Sequence, residues 1–477
     1  MPQQLEPPTH MHVSVRRVTL LVLIFLVIAF VVPHPSTVSP ASWRFFAIFI
    51  VTVLGLIIEP IPGGAVVLLG VTLAALFGGM TISQALSGYS DPVVWLVLTS
   101  NFIARALIKT GSARRLALSF IKGFGKNPIS LCYSLSLSDM VLATVIPANS
   151  ARSGGIILPI ALSISELYES FPGPTASRIG SFLMTALYQC ICITPAMFLT
   201  GQVSNLLAAQ MAARFGYQMS YGLWAAAGIV PGLVSLAVVP IIIWYLNPPT
   251  IRRTPEAALF AEDRLREMGP LSRQEKILGF LFVAICLAWA TAGRTGINIT
   301  VTALVGILVL LFTGILSWED IKAEKAAWDI FVWYGGLLFF GRALNDIGIP
   351  KLFATWLGSF LGGAGWITIL AVTLLVYFYS HYAFASITSH LLAMYPAFVA
   401  LLILRHAPVG LVVFSFACFA NLSAGLTHYG TTPSPMFFSR NYVSLQRWWL
   451  AGFVVSIVNI VIWTVVGFGW WRLIRIW

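Results

Sequence analysis

VIPANSARSGG, residues 145–155, interrupts a stretch from Pro128 to Glu166 that is apolar at both ends, and the reading of that interruption decides the fold. It holds too much Pro, Gly, Ser and Asn to continue a helix. The composition around it identifies the solvent. Of 477 residues 58% are hydrophobic and only 9% charged, with a mean hydropathy of +0.89, whereas soluble domains carry charge on about a quarter of their residues. Uninterrupted runs such as VTLLVLIFLVIAFVV (residues 18–32) approach the length of a tilted spanning helix. In a bilayer, backbone that leaves the helix must be buried in protein or line a wet cavity, because an unsatisfied amide there costs several kcal/mol. The interruption therefore reads as the tip of a re-entrant helical hairpin.

Further apolar spans fall near residues 43–59, 64–78, 92–108, 178–213, 219–246, 277–292, 298–317, 328–344, 409–438 and 448–471. The expected fold is an all-α polytopic membrane protein of about 11 transmembrane helices. Arg16 and Arg17 precede the first run as in a secretory signal, but PHPSTVSP (residues 33–40) follows without a small-x-small cleavage pattern, so that run is read as a membrane helix. Residues 247–276 hold eleven charged side chains and read as a cytoplasmic linker, partly an amphipathic surface helix. Fifteen of the 28 Lys and Arg lie in that linker, at Arg16 and Arg17, between Lys109 and Lys126, and at Lys322 and Lys325. The net charge of +12 is thus the positive-inside pattern of short loops. It does not indicate a nucleic-acid surface. Cys132, Cys190, Cys192, Cys286 and Cys418 all lie in apolar stretches without metal-knuckle spacing and read as packing residues. A multi-pass membrane protein is expected, with no cofactor and no metal.

The two halves of the chain repeat. At a fixed offset of 237 residues, Arg105-Ala106-Leu107 with Gly111 recurs as Arg342-Ala343-Leu344 with Gly348, and Pro159 recurs as Pro396. Counting spans, the two copies cross the membrane in opposite senses, which makes this an inverted-topology repeat with a transport site at the repeat interface. The expected organisation is an N-terminal tail and first helix (1–40), a first repeat (41–246) with its hairpin near 128–166, the linker (247–276), and a second repeat (277–477) with its hairpin near 365–400. The second hairpin tip falls in SHYAFASITSHLLAMYP, residues 380–396. Arg105 and Arg342 read as residues that close helix C-termini and snorkel.

Each hairpin is followed by a second interruption, TPAMFLTGQVSN (194–205) and LTHYGTTPSP (426–435). Four broken segments in two symmetric pairs present several half-helix N-termini, whose partial positive charge and free N–H groups favour carboxylate or phosphate. The implied ligand is a small anion. Asn149, Ser150, Gln202, Asn205, Ser386, Thr388, Thr431 and Thr432 are the candidate donors to its oxygens. Arg152, His390 and His428 are ionisable side chains in the same interruptions. Arg152 reads either as the partner of a carboxylate such as Asp139 or as a cation facing the cavity, since an unpartnered Arg at mid-bilayer costs roughly 2.5–3.5 kcal/mol. Each histidine reads either as a site residue or as a hydrogen-bond partner of a neighbouring helix.

The motifs GYSDPVVWLVLTSNFIARALIKTG (88–111), PANSARSGG (147–155), ITPAMFLTGQVSN (193–205), AEKAAWDIFVWYG (323–335), HYAFASITSHLLAMYPAF (381–398) and GLTHYGTTPSPMFFSRNYV (425–443) span nearly the whole chain. Together they resemble the divalent anion:sodium symporter family, within it the branch of bacterial citrate/tartrate:succinate and plant 2-oxoglutarate/malate exchangers. That resemblance implies a homodimeric elevator transporter that carries a dicarboxylate or tricarboxylate. It also implies hairpin tips with a Ser-Asn-Thr signature for carboxylates and, in sodium-coupled members, for sodium. Here the tips read Ala148-Asn149-Ser150 and Ser386-Ile387-Thr388, and the Asn that ends each broken helix in those members is matched by Asn205 but replaced by Pro435. These departures weaken a sodium site more than a carboxylate site.

The expected function is sodium-independent exchange of succinate, malate, fumarate, citrate, tartrate or 2-oxoglutarate, with Arg152 as a fixed charge standing where a coupled ion would sit. The unloaded domain would then carry an uncompensated charge and return only with another anion. A sodium-coupled dicarboxylate symporter is the alternative. An intramembrane enzyme is a remote one, since neither HExxH nor GxSxG occurs.

Overall fold

The computed structural model describes residues 15–58, 60–360 and 363–477, and among these the regular structure is entirely helical. Helices α1 (Val15–Leu26), α2 (Pro40–Ile58), α3 (Gly63–Phe77), α4 (Pro92–Lys109) and α5 (Ser112–Phe124) precede a hairpin with arms α6 (Pro128–Ala143) and α7 (Leu158–Leu167). A broken helix follows as α8 (Gly180–Met197) and α9 (Val203–Arg214), then α10 (Tyr221–Leu246) and the linker helix α11 (Pro255–Glu267). The second half runs α12 (Arg273–Thr295), α13 (Ile299–Phe312), α14 (Lys325–Ile347), α15 (Ile349–Phe360), hairpin arms α16 (Trp366–Ser380) and α17 (Ile387–Leu404), broken helix α18 (Val409–Leu422) and α19 (Pro433–Phe438), and α20 (Leu445–Ile462). Nine of the described helices are long and apolar enough to cross a membrane.

At the two glycines of the 237-residue offset the backbone behaves alike. Gly111 (φ +75°) ends α4 and Gly348 (φ +85°) follows α14, both left-handed, where a side chain would be strained. After each comes a short amphipathic helix and then a hairpin. α5 buries Ala113, Ala117, Leu118 and Ile121, a stripe at helical spacing. The first arms, α6 and α16, have 16 and 15 residues. At 1.5 Å rise they reach about 22–24 Å, short of the roughly 30 Å hydrocarbon core, as re-entrant arms must be.

The chain divides into two compact units, Met1–Val94 with Trp328–Pro350, and Trp95–Ala327 with Lys351–Trp477. In the first, Phe45 and Phe49 meet Phe340 with ring centroids 5.5 and 5.9 Å apart, and Tyr89 donates to the Val332 carbonyl at 3.0 Å. Here Arg342 pairs with Asp91 instead of snorkelling. A carboxylate within reach is cheaper than a long stretch to the interface.

The second unit has α8 at its centre, with every residue from Gly180 to Met197 buried. A helix with no exposed face is surrounded by protein on all sides. Its neighbour α10 approaches through Gly228, where a methyl group would stand 2.6 Å from Met197 Cα. The linker helix α11 buries Ala257 and Ala261 and lies on α5, with Lys122 Nζ 3.3 Å from Glu262. Beyond it Arg115 bridges to Glu275 at 2.6 Å and donates to the Gly269 carbonyl at 2.9 Å. The interruption at 145–155 is narrower than its composition suggests. From Asn149 the chain is helical again, passing through a π turn at Ser153–Ile157 into α7. The Ser153 hydroxyl closes that turn by donating to the Asn149 carbonyl at 2.7 Å.

Candidate functional site

Each interruption ends in a helix that starts inside the second unit. The first tip restarts at Asn149 and the second at Ile387, where the Ser386 side chain caps α17 by accepting from Ser389 N at 3.4 Å. At the first break α9 restarts after Gln202. Asn149 and Thr388 are buried, while Ser150, Gln202 and Ser386 are half-buried. The structure brings the first hairpin against the second break: a methyl group on Gly154 would meet Met436 Sδ at 2.6 Å. The second hairpin reciprocates, with α17 packed on α9.

Arg152 is fully buried, and each of its bonds goes to an oxygen of the protein. Its Nε donates to Asp139 Oδ1 at 3.0 Å. One terminal nitrogen donates to the carbonyls of Ile146 and of Gly201, the latter at 2.9 Å, and the other reaches Asn149 Oδ1 at 3.4 Å. Asp139 is held in turn by the Thr194 hydroxyl. Of the two readings open at sequence level, the ion pair is the one the structure has. That corrects the expectation of an uncompensated charge, because Asp139 neutralises the guanidinium whether or not an anion is bound. The first arm, the tip and the first break nevertheless surround a cation with four oxygens.

The backbone oxygens freed at the breaks are taken by side chains. Asn205 Nδ2 donates to the carbonyls of Pro195 (2.7 Å) and Phe198 (2.9 Å), and Asn205 Oδ1 accepts from Asn421 Nδ2 at 2.7 Å. Asn205 is therefore a brace between the two broken helices, with its amide committed to protein. At the second break the Tyr188 hydroxyl donates to the Ala424 carbonyl at 2.6 Å and Gln189 Nε2 to that of Gly425 at 3.0 Å. Tyr188 and Gln189 escaped sequence reading because α8 looks like any apolar helix. Their one signal was a polar pair in a run otherwise fit for lipid.

The remaining candidates separate. Thr431 is buried with its N–H donated to Ser434 Oγ at 3.1 Å, whereas Thr432 is exposed. His428 Nδ1 accepts from Trp449 Nε1 at 3.1 Å, and its ring lies 4.9 Å from that of Phe438. His390 is buried inside its own hairpin, its ring centroid 4.2 Å from that of Tyr377 and 4.9 Å from that of His381. His381 stands at the end of the first arm, outside the polar cluster that marks the tip in sequence. Its spacing of nine from His390 was the available signal. Among the described residues no cluster of three or more His, Cys, Asp or Glu could hold a metal ion.

Residues 12–477 match the family described as sodium:sulfate symporter transmembrane region. The chain is 40% identical over 451 residues to the chloroplastic dicarboxylate transporter 1 of Arabidopsis thaliana, covering 94% of this chain and 81% of that one. It is 34% identical to the chloroplastic dicarboxylate transporter 2 of Spinacia oleracea (98% and 84% covered) and 31% identical to the inner membrane protein YbhI of Escherichia coli (97% and 98%). Among solved structures, the YdaH transporter of Alcanivorax borkumensis superposes with a TM-score of 0.53 over 97% of this chain and 99% of that one, at 12% identity. That likeness is one of fold.

Proposed function

The chain belongs to the divalent anion:sodium symporter family, and from that membership we propose that it is a sodium-independent exchanger of small di- and tricarboxylates, working as a homodimeric elevator in a bacterial cytoplasmic membrane. The observation that carries this reading is the oxygen shell around Arg152. Asp139 Oδ1, Asn149 Oδ1 and the carbonyls of Ile146 and Gly201 are the hard donors a sodium ion would take, and a tethered guanidinium occupies them. Asn205, Tyr188 and Gln189 use the other free carbonyls in the same way. The curated names of the two chloroplast relatives support dicarboxylates as the substrate class.

The anion sits, in this reading, against the tip N-termini with Asn149, Ser150, Ser386 and Thr388 donating to its carboxylates, and Gln202 and Thr431 lie in the adjoining breaks. Exchange no longer rests on an unpaired Arg152. It rests on those N-termini, whose amide and hydroxyl donors have no anion to satisfy them when the domain returns empty and must cross the bilayer at a cost of several kcal/mol. In the loaded domain those donors are satisfied by the anion's carboxylates.

The test is uptake of labelled succinate into proteoliposomes with sodium replaced by choline, with and without internal succinate, malate or citrate. Uptake should require an internal acid and be unchanged by choline. Strong uptake into empty vesicles, or a steep sodium dependence, refutes the reading in favour of a symporter. In Arg152→Ala the shell is vacated, and uptake should become sodium-stimulated. Because a lone buried Asp139 costs about 3–5 kcal/mol, Arg152→Ala with Asp139→Asn serves as the folding control and should show no such stimulation.

A further inference from the structure

We propose that His381 and His390 form a proton-binding site within the second hairpin that takes up one proton with each dicarboxylate bound, so that the transported load is anion plus proton. The inference rests on the dicarboxylate reading above and adds a coupled ion to it. It starts from which ring nitrogens are already occupied. His381 Nε2 lies 2.8 Å from the Gly430 carbonyl, which only accepts, so Nε2 carries the hydrogen and Nδ1 is a bare lone pair. His390 Nε2 lies 3.1 Å from Ser380 Oγ. That hydroxyl donates to the Tyr377 carbonyl at 2.8 Å, a much stronger acceptor than Met394 Sδ at 2.9 Å, and so accepts from His390. Here too Nε2 is protonated and Nδ1 bare.

Both Nδ1 atoms are buried without a hydrogen-bond partner in the protein. The rings lie 4.9 Å apart, edge to face. Two bare imidazole acceptors in one buried place are costly as they stand, and a proton on either converts an unsatisfied acceptor into a charged donor. The groups facing the pair leave it free to do so. From α16 come Tyr377 and Ser380, from the loop after α18 the Gly430 carbonyl, and from the turn between the arms the Phe384 ring. Tyr395 and Cys418 lie beyond Tyr377. Among the described residues neither ring is ion-paired to a carboxylate. The negative charge that would hold an imidazolium is the substrate's own, since Ser386 and Thr388 sit within one turn of His390. Proton and dianion then bind cooperatively, each raising the affinity for the other by the same factor.

The balance is simple: imidazole plus H⁺ gives imidazolium as the dianion enters, and both are released on the far side. Purified protein in a weakly buffered solution with a pH indicator, at a pH where succinate is fully dianionic, should take up about one proton per succinate bound. Its apparent affinity should fall up to tenfold per pH unit as pH rises. The double variant His381→Gln with His390→Gln should bind succinate more weakly and with the uptake abolished, whereas either single variant leaves one bare Nδ1 to take the proton. If protonated succinate itself were the bound species, uptake would persist in the double variant, and the proposal is overturned. Binding to wild type with no proton uptake overturns it as well. Calorimetry of wild type in two buffers of different ionisation enthalpy gives the same proton count without any variant. No binding of succinate, malate or 2-oxoglutarate at all overturns the dicarboxylate reading together with this one.

Discussion

A buried residue in this protein is defined by where its hydrogen-bonding capacity goes, and Arg152 and Asn149 show the contrast. Arg152 spends its donors on four protein oxygens and has a structural duty first. Asn149 gives its amide only two contacts, both at 3.4 Å, to the Ile191 carbonyl and from Arg152. Bonds that long are weak, which leaves the side chain able to turn toward an anion. Thr388, buried in the first turn of α17, is placed similarly. Losing one hydrogen bond to a charged carboxylate costs about 1.5–3 kcal/mol, or about 10–150-fold in affinity. Asn149→Ala and Thr388→Ala should each weaken succinate binding by that amount while melting within a few degrees of wild type. Wild-type affinity in both well-folded variants would remove the tips from the site.

Helices were legible from sequence wherever composition broke, and illegible where it did not. The left-handed glycines 111 and 348, the hairpin tips and both breaks could be placed because Pro, Gly and small polar residues cannot continue a membrane helix unaided. The use of α8 as a polar brace could not, since a helix buried on all sides and one facing lipid carry the same apolar pattern. Charge pairs across elements were equally hidden, because Lys109 and Asp320 lie 211 residues apart. The Lys109 ammonium, 2.6 Å away, holds the Asp320 carboxyl down at about 2, with help from the Ser317 backbone and hydroxyl. A depressed carboxyl stabilises the fold above its unfolded value and loses that contribution as pH falls through the folded one. Between pH 5 and 8 the contribution is therefore constant. Glu262, held below the usual carboxylate range by Lys122, behaves the same way. The melting difference between wild type and Asp320→Asn should be flat over pH 5–8, so that any pH dependence of succinate affinity in that window originates elsewhere. A difference that grows across the window would contradict this and weaken the assignment of a proton to the histidines.

The whole molecule is a question of sidedness as much as of fold. The positive-inside reading of the Lys and Arg distribution expects the linker in the cytoplasm, and the eleven spans expected from sequence would put Arg472 and Arg475 outside, against the same rule. Sequence alone would choose a labelling position near the middle of the linker, such as Ala257. The structure shows why that fails: Ala257 is fully buried, its N–H donated to the Tyr168 hydroxyl at 3.0 Å, and a cysteine there would be silent on either side of the membrane. Leu259, two residues on, is 60% exposed. A Leu259→Cys protein in intact cells should resist a membrane-impermeant maleimide and react fully once the membrane is permeabilised. The five native cysteines, four buried and one half-buried, give a low background. A second cysteine at the exposed Leu473, in the last helical turn, should react in intact cells. Reaction of Leu259→Cys before permeabilisation would place the linker outside and invert the orientation of both hairpins. Protection of both positions would require an even number of crossings between them and so remove one span from the count.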